Sequence, residues 1–511
     1  MSSNTELSRR DFIAGSAVVG SALSGLAGSS AQAAAPAASS EIVEWEATQL
    51  SAAIHARKVS CEEVMRAYLD RIKKANGKAN AIVSLQDPDG LLKEAKAKDN
   101  DFARGTPGPL YGFPHAVKDL QPVKGMRFTS GSPIYKDRVA TNDSLYVERL
   151  RAAGAIMIGK TNTPEFGLGS HTVNRVFGAT TNPYNNTYSS GGSSGGAAVG
   201  LSLRMLPVAD GSDYGGSLRN PAGWNNVCGF RISIGRVPGV GGEVWLPSMS
   251  VSGPMAKTVG DVALLLSVMA GPDPRVPLSL ETEGATFREP LKADMKGKRI
   301  AWLGDFKGTV PYEPGLVDVC KDALKRFTAL GCTVEEASPN FDVERAWQAF
   351  VSLRGWQMSG AFLAMTPEQR ALLNQQALFE LETVQKLSLA DVVQASNVRS
   401  QWTAAVNQMF EHYDYLVAPT AQLFPFPLTQ PWPTEIAGQK MRTYHEWMKG
   451  VCLITLTGCP SLAVPAGFGA KGLPIGLQII APVRQEMAAL KMGAAFEAAE
   501  PLWRTRAPKV A

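Results

Sequence analysis

The chain has 511 residues, a formal net charge of +5, 45% hydrophobic residues and 19% charged residues. That composition is ordinary for a globular protein with ample core, and its length allows two or three average domains or one large α/β domain with additions. Lys and Arg are scattered without a basic run interleaved with aromatics, which predicts no nucleic-acid partner. Six cysteines (Cys61, Cys228, Cys320, Cys332, Cys452 and Cys459) form no C-x-x-C pair and read as buried free thiols. The five histidines include no pair at metal-ligand spacing, so neither a metal nor another cofactor is expected.

In chain order, Ser8-Arg9-Arg10-Asp11-Phe12-Ile13 precedes a weakly apolar stretch broken by Gly15, Gly20 and Gly25. A small-x-small site, Ala31-Gln32-Ala33, follows. Residues 1–33 thus resemble a twin-arginine export signal. The expectation is a periplasmic or secreted product with no stable membrane association after cleavage. Residues 34–44 read as an Ala/Ser/Pro linker and 45–505 as a single domain. Ser60 and Glu63 form a capping box ahead of a helix whose Val64, Tyr68, Leu69 and Ile72 share a face.

From Gly108 onward, helices and short apolar strands alternate. The pattern predicts a helix over 143–153 stopped by Gly154, then a buried strand over 155–158. A helix follows over 197–204 and a strand over 205–209. Later come a strand at 300–303, a helix over 316–330 ended by Gly331, and strands at 415–418, 462–464 and 475–480. Residues 355–412 are helical in pattern and read as an insertion or cap. The alternation argues for an α/β fold with a mixed, mostly parallel sheet covered by helices on both faces.

Two motifs invite misreading. Gly154 to Thr161 fits G-x-x-x-x-G-K-T, but its four x residues, Ala-Ile-Met-Ile, are themselves a strand and cannot wrap a phosphate. Gly191-Gly192-Ser193-Ser194-Gly195 fits G-x-S-x-G, yet the polar stretch 182–190 before it is no strand, as a nucleophile elbow requires.

More informative are two Gly/Ser clusters separated by one helix and one strand: Gly191 to Gly196, and Asp213-Tyr214-Gly215-Gly216-Ser217-Leu218-Arg219. A helix with a returning strand can bring both flanking loops to one sheet edge, and consecutive amides in such a turn can hold an oxyanion. Taken singly, each cluster reads first as a flexible loop. Together with Gly112-Phe-Pro-His-Ala-Val-Lys118-Asp119, Gly159 to Gly167, Asn182-Pro183, Gly211 to Ala222, Gly253-Pro-Met-Ala256, Gly458 to Pro465 and Gly472 to Gln478, they resemble the amidase signature family over about residues 45–500.

The resemblance implies a Ser-Ser-Lys triad. Ser217 is the nucleophile, Ser193 the bridging serine on a cis peptide bond, and Lys118 the base. The amides of Tyr214, Gly215, Gly216 and Ser217 form the oxyanion hole, with Ser194, Asp213 and Arg219 in support. The chemistry is coherent: serine needs an adjacent base, and a buried lysine can be neutral. The implied activity is hydrolysis of small, aromatic or anilide-type amides through an acyl-enzyme, by a chain that could form a homodimer. Two alternatives are an amidotransferase of the A type that acts on aminoacyl-tRNA and a non-catalytic periplasmic binding protein on the same scaffold. Departures from the family pattern fall at Tyr214, Asn220 and 230–233 and bear on substrate preference.

Overall fold

A computed structural model describes residues 39–510 except 103, 104, 106, 240–242, 247 and 248. The expected export signal over 1–33 lies outside the described residues. So do residues 34–38 of the expected linker, but its end is not loop: Ser39–Ile42 is a helical turn, and Ile42 and Val43 are buried in the core. Two apolar residues at the end of an Ala/Ser/Pro run are enough to anchor it.

The capping box forms as the sequence predicts. Ser60 Oγ accepts from the Glu63 amide and the Glu63 carboxylate accepts from the Ser60 amide, starting the helix Cys61–Ala79. The helix Leu145–Ala152 closes at Gly154, whose φ of +96° suits glycine. The strand Ile156–Thr161 follows, wholly buried, as an apolar strand with no phosphate loop should be. It pairs with Ile82–Val83 and Pro114–Lys118 in a three-stranded sheet.

Among the described residues the main sheet has eight strands, in the order Thr333–Glu336, Arg299–Trp302, Tyr415–Pro419, Pro474–Ile480, Ser461–Phe468, Cys228–Arg231, Val251–Ala256, Val208–Asp213. Helices flank it, so the α/β class and the mixed sheet hold. The expected parallel majority does not. Only the pairs made by Arg299–Trp302 are parallel, and every later neighbour is antiparallel. Alternating helices and strands suggest crossovers, but Ser461–Phe468 and Pro474–Ile480 are joined by a short turn and pair as a hairpin.

The strand expected at 205–209 lies at Val208–Asp213. Met205 still belongs to the preceding helix end, its amide donating to Gly200 at 2.7 Å. The strand instead runs on through polar residues that find partners inside the fold. The helical region begins at Val343, capped by Asp342, and continues as Val343–Leu363, Pro367–Arg370, Gln375–Lys386 and Leu389–Met409. No helix among the described residues is long and apolar enough to cross a membrane.

Candidate active site

Lys118 ends the strand Pro114–Lys118, every residue of which is buried. Apolar Ala116 and Val117 hold this strand inside, so the lysine at its end is carried in with it. Its backbone amide donates to both oxygens of Asp210, at 3.2 and 3.3 Å. That fully buried carboxylate also bonds His115 Nε2 at 2.9 Å and accepts from the Tyr146 hydroxyl at 2.7 Å. Lys118 Nζ lies 2.8 Å from Ser193 Oγ, 2.8 Å from Ser194 Oγ and 2.9 Å from Ser212 Oγ. Among the described residues no carboxylate pairs with it. Burial lowers the lysine from its ordinary range, Asp210 and Asp213 push it partly back, and the balance is about 7.

Ser193 sits in the first Gly/Ser loop, where the Gly192–Ser193 peptide is cis. The helix Gly195–Ser202 begins directly after it and is completely buried. A Cβ on Gly196 would lie 2.3 Å from the Asn162 amide nitrogen and 2.6 Å from the Ala81 carbonyl oxygen. Only glycine lets the loop press this closely on the small sheet that carries Lys118. Ser194 ties the two Gly/Ser loops together. Its amide donates to Ser217 O at 3.3 Å, and its hydroxyl accepts from the Ser212 amide at 3.2 Å.

The second loop leaves the strand Val208–Asp213 and enters the helix Arg219–Trp224. Asp213 is its brace. The carboxylate accepts from Arg219 Nε and Nη2, both at 3.0 Å, from Arg231 Nη1 at 3.2 Å, and from the Gly216 and Leu218 amides at 3.0 and 3.1 Å. Burial alone would raise this carboxyl, but Arg219 and Arg231 hold it well below the usual carboxylate range. Arg219 spends its remaining donors on Val451 O, Gln478 Oε1 and Thr455 Oγ1.

The loop departs from expectation at one atom: the Gly216 amide, assigned to the oxyanion hole, already donates to Asp213. Among the described residues the Tyr214, Gly215 and Ser217 amides have no protein acceptor. Ser217 is 7% exposed and shares with Ser193 the wall of a cavity of about 630 Å³, counting its open mouth. No hydrogen bond joins the Ser217 and Ser193 hydroxyls.

The structure therefore brings Lys118, Ser193 and Ser194 into direct contact and puts Ser217 on the same cavity. Several of their neighbours were not expected from the sequence. Ser212, the third hydroxyl on Lys118, stands one residue before Asp213, inside the Gly211–Ala222 motif. His115 likewise lies within the lysine motif. Phe350, Arg354, Met358 and His445 also line the cavity. They come from segments with no motif, so nothing local points to them. All six cysteines are buried and unpaired. No group of three His, Cys, Asp or Glu among the described residues could hold a metal ion.

A family model described as Amidase matches residues 63–490. The chain belongs to the amidase family. This amidase is 34% identical over 476 residues to an acylamidase of Rhodococcus erythropolis, covering 91% of the chain and 98% of the relative. It is also 33% identical over 488 residues to the A subunit of the glutamyl-tRNA(Gln) amidotransferase of Acidothermus cellulolyticus, covering 90% and 95%. Among solved structures it resembles a bacterial aryl acylamidase of the amidase signature family, with a TM-score of 0.84, 29% identity and coverage of 91% and 98%. The amidase is an amide hydrolase.

Proposed function

We propose that the chain hydrolyses small aromatic or anilide-type amides through an acyl-enzyme on Ser217, with Ser193 as proton relay and Lys118 as base. One observation carries the reading: a fully buried lysine, held near 7, lies 2.8 Å from Ser193 on the cavity that Ser217 also lines. Neutral Lys118 takes the Ser193 proton as Ser193 takes that of Ser217, and Ser217 Oγ adds to the amide carbonyl carbon. The oxyanion that forms accepts from the free amides of Tyr214, Gly215 and Ser217. On collapse the C–N bond breaks and the relay returns a proton to the leaving amine. Water then adds to the acyl-enzyme by the same route, releasing the carboxylate and regenerating Ser217.

The aryl acylamidase and acylamidase relatives support an aryl or acyl amide as substrate. The amidotransferase relatives share the core, but no observation on the site favours that reading over hydrolysis. Treatment with a fluorophosphonate probe should give one adduct, placed by mass spectrometry on the Ser217 peptide. An adduct on Ser193 instead would reverse the roles of the two serines. Hydrolysis of anilides and benzamides without glutamine or tRNA tests the substrate class, and strict dependence on both would favour the amidotransferase.

We further propose that Arg9-Arg10 and the Ala31-Gln32-Ala33 site direct export of the folded precursor to the periplasm.

A further inference from the structure

The wall of the cavity facing the nucleophile loop is not uniformly apolar. Phe350, Arg354 and Met358 recur at intervals of four on the helix Val343–Leu363, so one face of that helix lines the space. Arg354 is only 5% exposed. Its Nε donates to Glu380 Oε1 at 2.7 Å and its Nη2 to the Tyr444 hydroxyl at 3.2 Å. Its guanidinium lies 4.8 Å from the centre of the Tyr214 ring. The Tyr214 hydroxyl is in turn held by Gln357 Oε1 at 2.6 Å. Tyr214 is thus the departure from the family pattern that seats an arginine against the nucleophile loop. Arg354 Nη1 has no hydrogen-bond partner among the described residues.

His445 lines the same cavity and is 1% exposed. Its Nδ1 lies 2.7 Å from Thr443 Oγ1, and its Nε2 is buried without a hydrogen-bond partner among the described residues. The rings of Trp347, Phe350, Phe379 and Tyr444 hem the imidazole in, and none of them bonds to Nε2. Burial and the neighbouring Arg354 hold the histidine well below its ordinary range, so it is neutral. The Thr443 hydroxyl is free to donate to Nδ1, and in that tautomer the ring proton sits on Nε2. A buried N–H without an acceptor is costly to keep unless a ligand supplies one.

We infer that Arg354 and His445 form a polar subsite that accepts an uncharged hydrogen-bond acceptor (an ether, carbonyl or hydroxyl oxygen) at the far end of the substrate's ring. The inference rests on the proposed aryl-amide reading and names the substituent that the aryl group carries. The acceptor is uncharged because Glu380 already balances Arg354 at 2.7 Å. A carboxylate would bring a second negative charge beside the buried Arg354–Glu380 pair without a counter-ion of its own. Phe350 and Met358, with Phe166 and Leu120 across the space, enclose the ring itself.

The test is a matched set: 4-methoxy, 4-ethyl and 4-carboxylate forms of benzamide and of acetanilide, which put the arm on the acyl or the amine side. Methoxy and ethyl are near-equal in size and differ in the acceptor. On one side, kcat/KM should favour methoxy over ethyl by about ten- to a hundredfold, the range for a hydrogen bond to a charged or buried donor. The carboxylate should be the poorest. In His445→Phe, and in the paired exchange Arg354→Met with Glu380→Gln, which removes both charges together, the methoxy-to-ethyl ratio should fall towards one. The ratio cancels any general loss of activity, and fluorophosphonate labelling of Ser217 reports that each variant is folded. Equal turnover of methoxy and ethyl by the parent enzyme, a ratio that survives in both variants, or a preferred carboxylate overturns the subsite. If no member turns over, calorimetric binding of the same set to Ser217→Ala decides. A methoxy preference there sustains the subsite and sinks the aryl-amide hydrolysis reading alone, while equal or absent binding overturns the subsite.

Discussion

A primary amine can take a proton from Ser193 only while it carries two of its own, and burial holds Lys118 at about 7. The charged lysine is the inactive form. The sign is therefore fixed: kcat/KM should be low in acid, rise with pH through about 7 and then level off. A profile flat between pH 5 and 9 would remove Lys118 as base. Lys118→Ala should lower kcat/KM by about a hundred- to ten-thousandfold, the usual worth of a general base. Lys118→Arg should not restore it, because arginine stays protonated at working pH. Near-normal turnover by the arginine variant would show that a fixed charge suffices. Lys118, Ser193 and Ser217 were legible in the sequence because each stands in a long motif. Arg354 and His445 were not, since an arginine within an amphipathic helix and a histidine between turns look like any others until the fold sets them on one cavity.

The helix Gly195–Ser202 and the nucleophile loop are held by different means. The helix depends on backbone contact at Gly196, where a methyl group would meet main-chain atoms of Asn162 and Ala81 that cannot move aside. Gly196→Ala should push Ser193 and Ser194 away from Lys118. Both kcat and the melting temperature should fall, and wild-type values for both would show that the contact relaxes. The loop depends on charge. Asp213→Ala would strand Arg219 and Arg231, both 0% exposed, and should cost about 3–5 kcal/mol in denaturant unfolding, as breaking a buried ion pair does. A loss below about 1 kcal/mol, the worth of an exposed pair, would mean that water reaches the site. Strand and helix positions were readable from apolar runs, glycine stops and the Ser60–Glu63 capping box. Strand partners were not, because periodicity tells which residues pair inward and not which neighbour lies alongside; hence the antiparallel majority of the sheet.

Across the whole molecule, the proposed export route makes a separate prediction. Replacing Arg9 and Arg10 by Lys should leave precursor in the cytoplasm, followed by fractionation and immunoblotting, and undiminished periplasmic product would reject the twin-arginine assignment. Within the described chain, labour is divided along the sequence. The amine, hydroxyls, open amides and bracing carboxylate all lie between Lys118 and Arg231, whereas Phe350, Arg354, Met358 and His445 reach the cavity from the helices and turn beyond Val343. The polar end of the proposed ring subsite is thus encoded apart from the reacting groups, although Leu120 and Phe166 face the ring from the first stretch, and the two stretches can drift at different rates. A chimera carrying a relative's residues in place of 343–409 and 443–448 should inherit the donor's appetite for particular ring substituents and keep the acid limb of its own pH curve, so that diversification can rewrite what is eaten without relearning how to cut.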